Sequence, residues 1–365
     1  MSDLNYDLAT EAGGFIPSPE INYQPKTLKT KPPKIGLVGA GGITSHHLNA
    51  YRTAGYEVLA ICDLDLERAI SKRDEFYPEA IATKDISDVL DNPDIGVVDI
   101  ATHPPERPPL IEAALRSGKH VLSQKPFVID LDEGERLVAL AEENGLLLAV
   151  NQNGRWAPHV SAMREIVSQG LIGEVIGVHV GLHWNHGWTV GTPFDEIHHL
   201  VLYDFAIHWF DMLHCYVGEK VATKTYASLT RASEQKAKPP LLGQALVEFE
   251  GAQATLVFDG YTTVGSLDTT ILVGTKGMVR SEGPNLNEQT VTLTTEAGVA
   301  RLELEGTWFP DGFRGTMAEL LSALEEGREP SHSGRNNLRG LATCFAALKS
   351  ADTGQPQVPG QVRKL

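Results

Sequence analysis

Asp204 and His208 stand four residues apart in the apolar-periodic stretch HLVLYDFAIHWFDMLHCYVG. On an α-helix that spacing stacks a carboxylate against an imidazole, so the acid can orient or charge-stabilise the ring. With an ordinary pKa of about 6.5, an imidazole held this way suits proton transfer near neutral pH. The pair could instead form two legs of a metal site, because His183, His186, His198, His199 and His214 crowd the same region. The expectation is a site without metal. His183, Trp184, His186 and Trp188 read as a pocket-lining loop of flat rings and hydrogen-bonding imidazoles.

Such side chains need a scaffold, and the first half of the chain spells one. KIGLVG is a short apolar run of the kind buried parallel strands use, and it enters the turn AGGITSHH at once. Gly39 and Gly41 take the first two places of a GxGxxG turn, where missing side chains let the backbone approach a pyrophosphate at a helix N-terminus. Thr44 replaces the third glycine. A second apolar run, EVLAICD, ends in Asp63, at the distance of about 20 residues where an acid bonds the adenosine ribose hydroxyls. That carboxylate would repel a 2′-phosphate, which points to NAD. Gly42 and Ile43 belong to the same turn, and His103 and Gln124 complete the expected cofactor contacts.

The alternation continues through VVDIAT, RPPLIEAALRSG, HVLSQKP, LDEGERLVALAEENG and LLLAV. Strands separated by helices imply right-handed parallel crossovers, with ligand beyond the strand carboxyl ends. Thr102, Lys125 and Asn153 fall there.

After a helix near His159 the writing changes to EVIGVHVGLHW, TKTYASLT, ALVEFE, ATLVFDGY, TTILVGT, QTVTLTT and ARLELE. Several of these alternate apolar with polar residues, as an antiparallel sheet with one wet face does. The expected class is therefore α/β: a doubly wound Rossmann sheet followed by an α+β domain with a large, mainly antiparallel open sheet. The expected divisions are an extended arm (1–33), a cofactor domain (34–152), a substrate and oligomerisation domain (153–330), and a helix and tail packing back on the Rossmann domain (331–365). Phe15, Ile16, Ile21 and Tyr23 would anchor the arm on its own cofactor domain or on a neighbouring subunit.

A formal charge of −16 without a dense basic patch argues against nucleic acid, and no apolar run reaches membrane-spanning length. Cys62, Cys215 and Cys344 are too widely spaced for a disulfide framework or a metal knuckle. With no recognisable export signal, a cytoplasmic setting is expected.

Lys125-Pro126 after a strand, in a chain with GAGGI and Asp63 in place, resembles the glucose–fructose oxidoreductase and inositol dehydrogenase family, Gfo/Idh/MocA. The family usually writes Glu-Lys-Pro where this chain has Gln124-Lys125-Pro126, and Arg107 stands where a histidine is usual. Asn153-Gly154-Arg155-Trp156 looks like the family's Asn-Arg-Arg-Phe, with Gly154 in place of the first arginine. The resemblance implies that Lys125, Asp204 and His208 form the catalytic group. It also makes Arg155 and Trp156 candidates for substrate contact, alongside Asp204 and His208.

Oxidising a carbinol requires a base and a positive group near the developing alkoxide. His208 suits the first role and Lys125 the second, with Asp204 holding both. The expected activity is NAD-dependent oxidation of a sugar or cyclitol hydroxyl in a homodimer or homotetramer. The alternative is a glycosidase that oxidises its sugar only transiently on retained NAD, eliminates the aglycone, adds water and returns the hydride. Its substrates would include N-acetylated or sulfonated glycosides such as sulfoquinovosides, with Arg155 on the anion.

Overall fold

A computed structural model describes residues 13–365. The first half forms six strands, β1 (Lys34–Val38), β2 (Val58–Cys62), β3 (Ile81–Thr83), β4 (Ile95–Ile100), β5 (His120–Gln124) and β6 (Leu148–Asn151). They pair in parallel in the order β3-β2-β1-β4-β5-β6. Helices α1 (Thr44–Thr53), α2 (Leu66–Phe76), α3 (Ser87–Leu90), α4 (Arg107–Arg116) and α5 (Leu131–Glu143) make the crossovers. Continuous burial along β1 and β4 agrees with the apolar runs that announced them, since both faces of such a sheet are covered.

The second half carries α6 (Pro158–Ser168), β7 (Val175–His183), α7 (Ile207–Val217) and β8 (Ala222–Thr230). β9 (Leu242–Phe249), β10 (Ala252–Asp259), β11 (Leu267–Gly274), β12 (Gly277–Gly283), β13 (Thr290–Thr295) and β14 (Gly298–Leu302) follow. These eight strands form one sheet in the order β14-β13-β12-β11-β7-β10-β9-β8. All its pairs are antiparallel except β7 with β10, a parallel pair at the sheet's centre. The alternating burial of β9 marks an inner face against helices and an outer face.

Helices α8 (Trp308–Glu326) and α9 (Gly334–Thr353) close the fold. A boundary at residue 330 does not describe it well. Helix α8 packs on α1 and β6 of the Rossmann layer, whereas α9 lies against β8 and α7 as well as α5. The tail does return to the Rossmann domain: Leu131 N donates to Arg363 O, and Leu365 N to Ile129 O.

Within residues 13–33 the arm runs over the second domain and α8. Ile16 N donates to Val299 O of β14, Ser161 Oγ to Tyr23 O, and Glu325 accepts from Thr30. Ile16, Ile21 and Tyr23 pack on the core, whereas the Phe15 side chain is 81% exposed and only its backbone bridges Val299 of β14.

His159, His214 and His332 are buried, and burial pushes each ring down to about 3. In the unfolded chain they take up protons near pH 6.5, so the unfolded state binds more protons between 6.5 and 3, and stability falls as the pH drops through that window. By linkage each ring removes about 2 kcal/mol between pH 6.5 and 5. Urea unfolding should therefore show a midpoint markedly lower at pH 5 than at 7.5. An unchanged midpoint would mean the rings are solvated.

Candidate active site

The glycine turn after β1 has the geometry its residue types require. Gly39 has φ +96°, and a Cβ there would meet the Ala101 carbonyl at 2.9 Å, so only glycine fits. A Cβ on Gly41 or Gly42 would meet no protein atom within 4 Å. Thr44, in the third-glycine position, is buried and turns its hydroxyl back onto the Gly41 carbonyl at 2.6 Å, closing the turn. Ile43 is 38% exposed just ahead of α1.

Asp63 lies beside this turn, its carboxylate accepting from the Ala40 N–H at 2.6 Å and the Asp65 N–H at 2.8 Å. Each oxygen keeps lone pairs for ribose hydroxyls. A cleft of about 950 Å³ opens here, lined by Gly39, Gly41, Asp63, Thr102 and His103. The Thr102 hydroxyl is buried without a partner, a polar group that awaits a ligand. The cleft fits a dinucleotide's adenosine end, and these residues would hold NAD.

At the carboxyl end of β5, Lys125 Nζ donates to the Asp204 carbonyl at 2.8 Å and lies 3.3 Å from its Oδ1. Asp204 therefore holds the lysine and not the histidine. Residues Val201–Phe205 form a turn of π-helix, with Ala206 N reaching back to Val201 O, before α7 begins at Ile207. Among the described residues His208 makes no hydrogen bond, and its Nδ1 is buried without a partner. Burial, reinforced by the charge of Lys125, holds this ring well below the usual histidine range, so it is neutral near pH 7.

Arg107 accounts for the rigidity of the lysine turn. It is buried, donates Nε to the Thr102 carbonyl at 2.9 Å, and reaches the carbonyls of Gln124, Lys125 and Pro126 with its other nitrogens. Among the described residues no carboxylate compensates it, and burial lowers its pKa to about 9. A planar fork of donors is what lets one side chain serve carbonyls from the ends of both β4 and β5. Arg107→Ala should leave these carbonyls unsatisfied. We expect a loss of about 3 kcal/mol in urea unfolding, little restored by Arg107→Lys, together with a fall in kcat. Wild-type stability and turnover in Arg107→Ala would refute this role.

Gln124 is explained by a buried network that sequence reading missed. Asp99 Oδ2 accepts from Tyr51 Oη and from His47 Nδ1, both at 2.7 Å. His47 Nε2 faces the amides of Gln124 at 3.0 Å and Asn151 at 3.3 Å, and Gln124 Oε1 accepts from the Lys125 N–H at 2.7 Å. The amide at 124 thus links the His47–Asp99 pair to the backbone of Lys125. One signal was available, the acid Asp99 inside the apolar run of β4.

Other expected contacts move elsewhere. Arg155 is buried in a bidentate pair with Asp211 at 2.5 and 2.6 Å, and also donates to Ser331 O and Asn336 Oδ1. Four of its five N–H donors are used in this way and the side chain is buried. Trp156 is buried edge-on against His332, beneath the Arg164 guanidinium. His183 pairs with Asp259 at 2.8 Å on the outer face of the sheet, because Leu182 takes the inward position beside it. Asn153 is buried and accepts from Trp308 Nε1 at 3.1 Å. A Cβ on Gly154 would lie 2.4 Å from Met212 and 2.6 Å from Trp308, so the glycine makes room for that indole.

Trp184 and His186 pack against the residues that neighbour His208 and Asp204 in the chain. Trp184 meets Trp209, which adjoins His208, and His186 stacks on Phe205 with ring centroids 4.2 Å apart. Trp188, 55% exposed, edges onto His186 and Phe194 at the rim. Trp308 and Phe309, not anticipated, pack against His208 and His46 respectively.

Two family descriptions match this chain: "Oxidoreductase family, NAD-binding Rossmann fold" over residues 33–152, and "GFO/IDH/MocA C-terminal domain" over 160–280. The chain belongs to the Gfo/Idh/MocA oxidoreductase family. Among Gfo/Idh/MocA relatives, D-apiose dehydrogenase of Paraburkholderia graminis is 27% identical over 88% of each chain. Inositol 2-dehydrogenase of Rhizobium meliloti is 26% identical over 87% of this chain and 96% of that protein. An Agrobacterium radiobacter oxidoreductase solved with NAD+, L-tartaric acid and magnesium superposes with a TM-score of 0.80 at 23% identity, covering 91% of this chain and 99% of that one. The family is one of NAD-binding sugar and cyclitol oxidoreductases, and the NAD fold expected from Gly39, Gly41 and Asp63 is that of this chain.

Proposed function

We propose that this enzyme oxidises, reversibly, a hydroxyl of an uncharged sugar or cyclitol, with NAD as the hydride acceptor. The observation that carries the reading is the Lys125–Asp204 pair at the end of β5, with the unpartnered, neutral ring of His208 close by. The substrate hydroxyl sits between them. His208 accepts its proton, and Lys125, fixed by the Asp204 carboxylate and carbonyl, donates to the oxygen as negative charge develops there. Trp184, His186 and Trp188 supply flat faces and a polar edge for the ring.

An uncharged substrate follows from how the positive groups are used. Arg155 is engaged by Asp211 and Arg107 by carbonyls, Lys125 is matched by Asp204, and burial pushes His186 down to about 4, leaving it neutral. A sulfonate or carboxylate would find no free cation among these groups. The same arrangement removes the anion contact on which a sulfoquinovosidase reading depended.

Steady-state NADH formation should be seen with neutral pentoses, hexoses or inositols. Their uronate or sulfonate analogues should be at least roughly 10-fold poorer in kcat/KM, the cost of a missing charge-assisted hydrogen bond. Preference for the anionic member of a pair would overturn the assignment. Release of aglycone from aryl glycosides without NADH would establish the glycosidase instead.

We further propose that a second copy covers the outer face of the large sheet, where Tyr226, Leu246 and Leu267 are exposed. Leu246→Glu should shift the sedimentation coefficient to that of the monomer.

A further inference from the structure

We infer that His198, His199 and Asp352 form a binding site for a borderline divalent transition metal such as Zn2+, separate from the catalytic group. One potential ligand atom from each of the three lies within 4.8 Å of the other two. His199 Nε2 is 2.7 Å from Asp352 Oδ1, and the two imidazoles face edge-on with centroids 4.6 Å apart. Two imidazoles and one carboxylate are the donor set that Zn2+ accepts in tetrahedral sites, with water in the fourth position, whereas Mg2+ and Ca2+ prefer oxygen alone.

The electrostatics point the same way. Asp352 lies in the last turn of α9, where unsatisfied carbonyls give the helix end its negative pole and favour a cation. With neutral imidazoles the cluster carries one negative charge, and its side chains are partly open to solvent, which leaves an entry path.

The location gives the site a consequence. His199 O accepts the Tyr203 N–H at 2.8 Å, the bond that opens the π turn presenting Asp204 to Lys125. A metal here would tie the end of α9 to the segment leading into that turn.

The test is calorimetric titration of untagged, chelator-treated protein with Zn2+. It should show one ion per chain at micromolar affinity. His199→Ala and Asp352→Asn should each weaken binding at least 10-fold, and His179→Ala, on the outer sheet face, should not. Because Asp352→Asn is a surface change, its unfolding midpoint without metal should match wild type, and Zn2+ should raise the midpoint of wild type alone. With Co2+ the wild type should develop the visible absorption of four-coordinate cobalt, absent in His199→Ala. No saturable binding, or binding unchanged in both variants, would overturn the site.

Discussion

Lys125→Ala should lower kcat by about 10³-fold, within the range that removal of a positioned proton-transfer or charge-stabilising group produces. Lys125 Nζ is held at two points by Asp204, through the carbonyl at 2.8 Å and the carboxylate at 3.3 Å. It does not line the cleft beside Asp63, so NAD affinity followed by fluorescence should remain close to wild type. The loss then falls on turnover and not on cofactor capture, which separates chemistry from damage to the fold. Lys125→Arg should recover little, because a guanidinium keeps the charge but not the compact point geometry of the ammonium. Turnover within a few-fold of wild type in Lys125→Ala would remove the lysine from the mechanism.

Arg155→Ala should cost about 3–5 kcal/mol of stability, the usual result of removing one partner from a buried pair and leaving the other charged. Asp211, which also accepts from Asn337 Nδ2 at 3.0 Å, would be that stranded charge. The guanidinium joins the segment after β6 to α7, to Ser331 and to α9, so unfolding should become less cooperative as well as easier. The double variant Arg155→Met, Asp211→Leu should regain much of the loss, since it removes both charges and fills the space. In the folded fraction of either variant, KM for the sugar should stay near wild type. A large rise in KM with stability unchanged would return Arg155 to the substrate pocket.

These two residues mark how differently the site was legible. Lys125 could be placed because its position depends on local writing: an apolar run ends, a proline follows, and ligands in such sheets gather at strand ends. Arg155 sat in an equally suggestive motif, but its use depends on Asp211, 56 positions on, and Asn336, 181 positions on. His183 was assigned to a pocket from its neighbours, and the two-residue period of β7 turned it to the other face of the sheet. Arg107, left without a role, proved to staple the lysine turn, since only folding brings the carbonyls of Thr102 and Gln124 together.

Sequence by itself determined the Rossmann half, the glycine turn with Asp63 at the end of β2, and the strand-rich second half, because apolar runs, glycine positions and periodicity are local consequences of burial and backbone sterics. Tertiary structure alone decided that β7 and β10 pair in parallel, and that α8 belongs with the Rossmann layer. It also decided that Asp204 bonds Lys125, 79 positions away, and not His208 four positions on. Each of these depends on which distant surfaces meet, and a periodicity argument along one segment does not reach them.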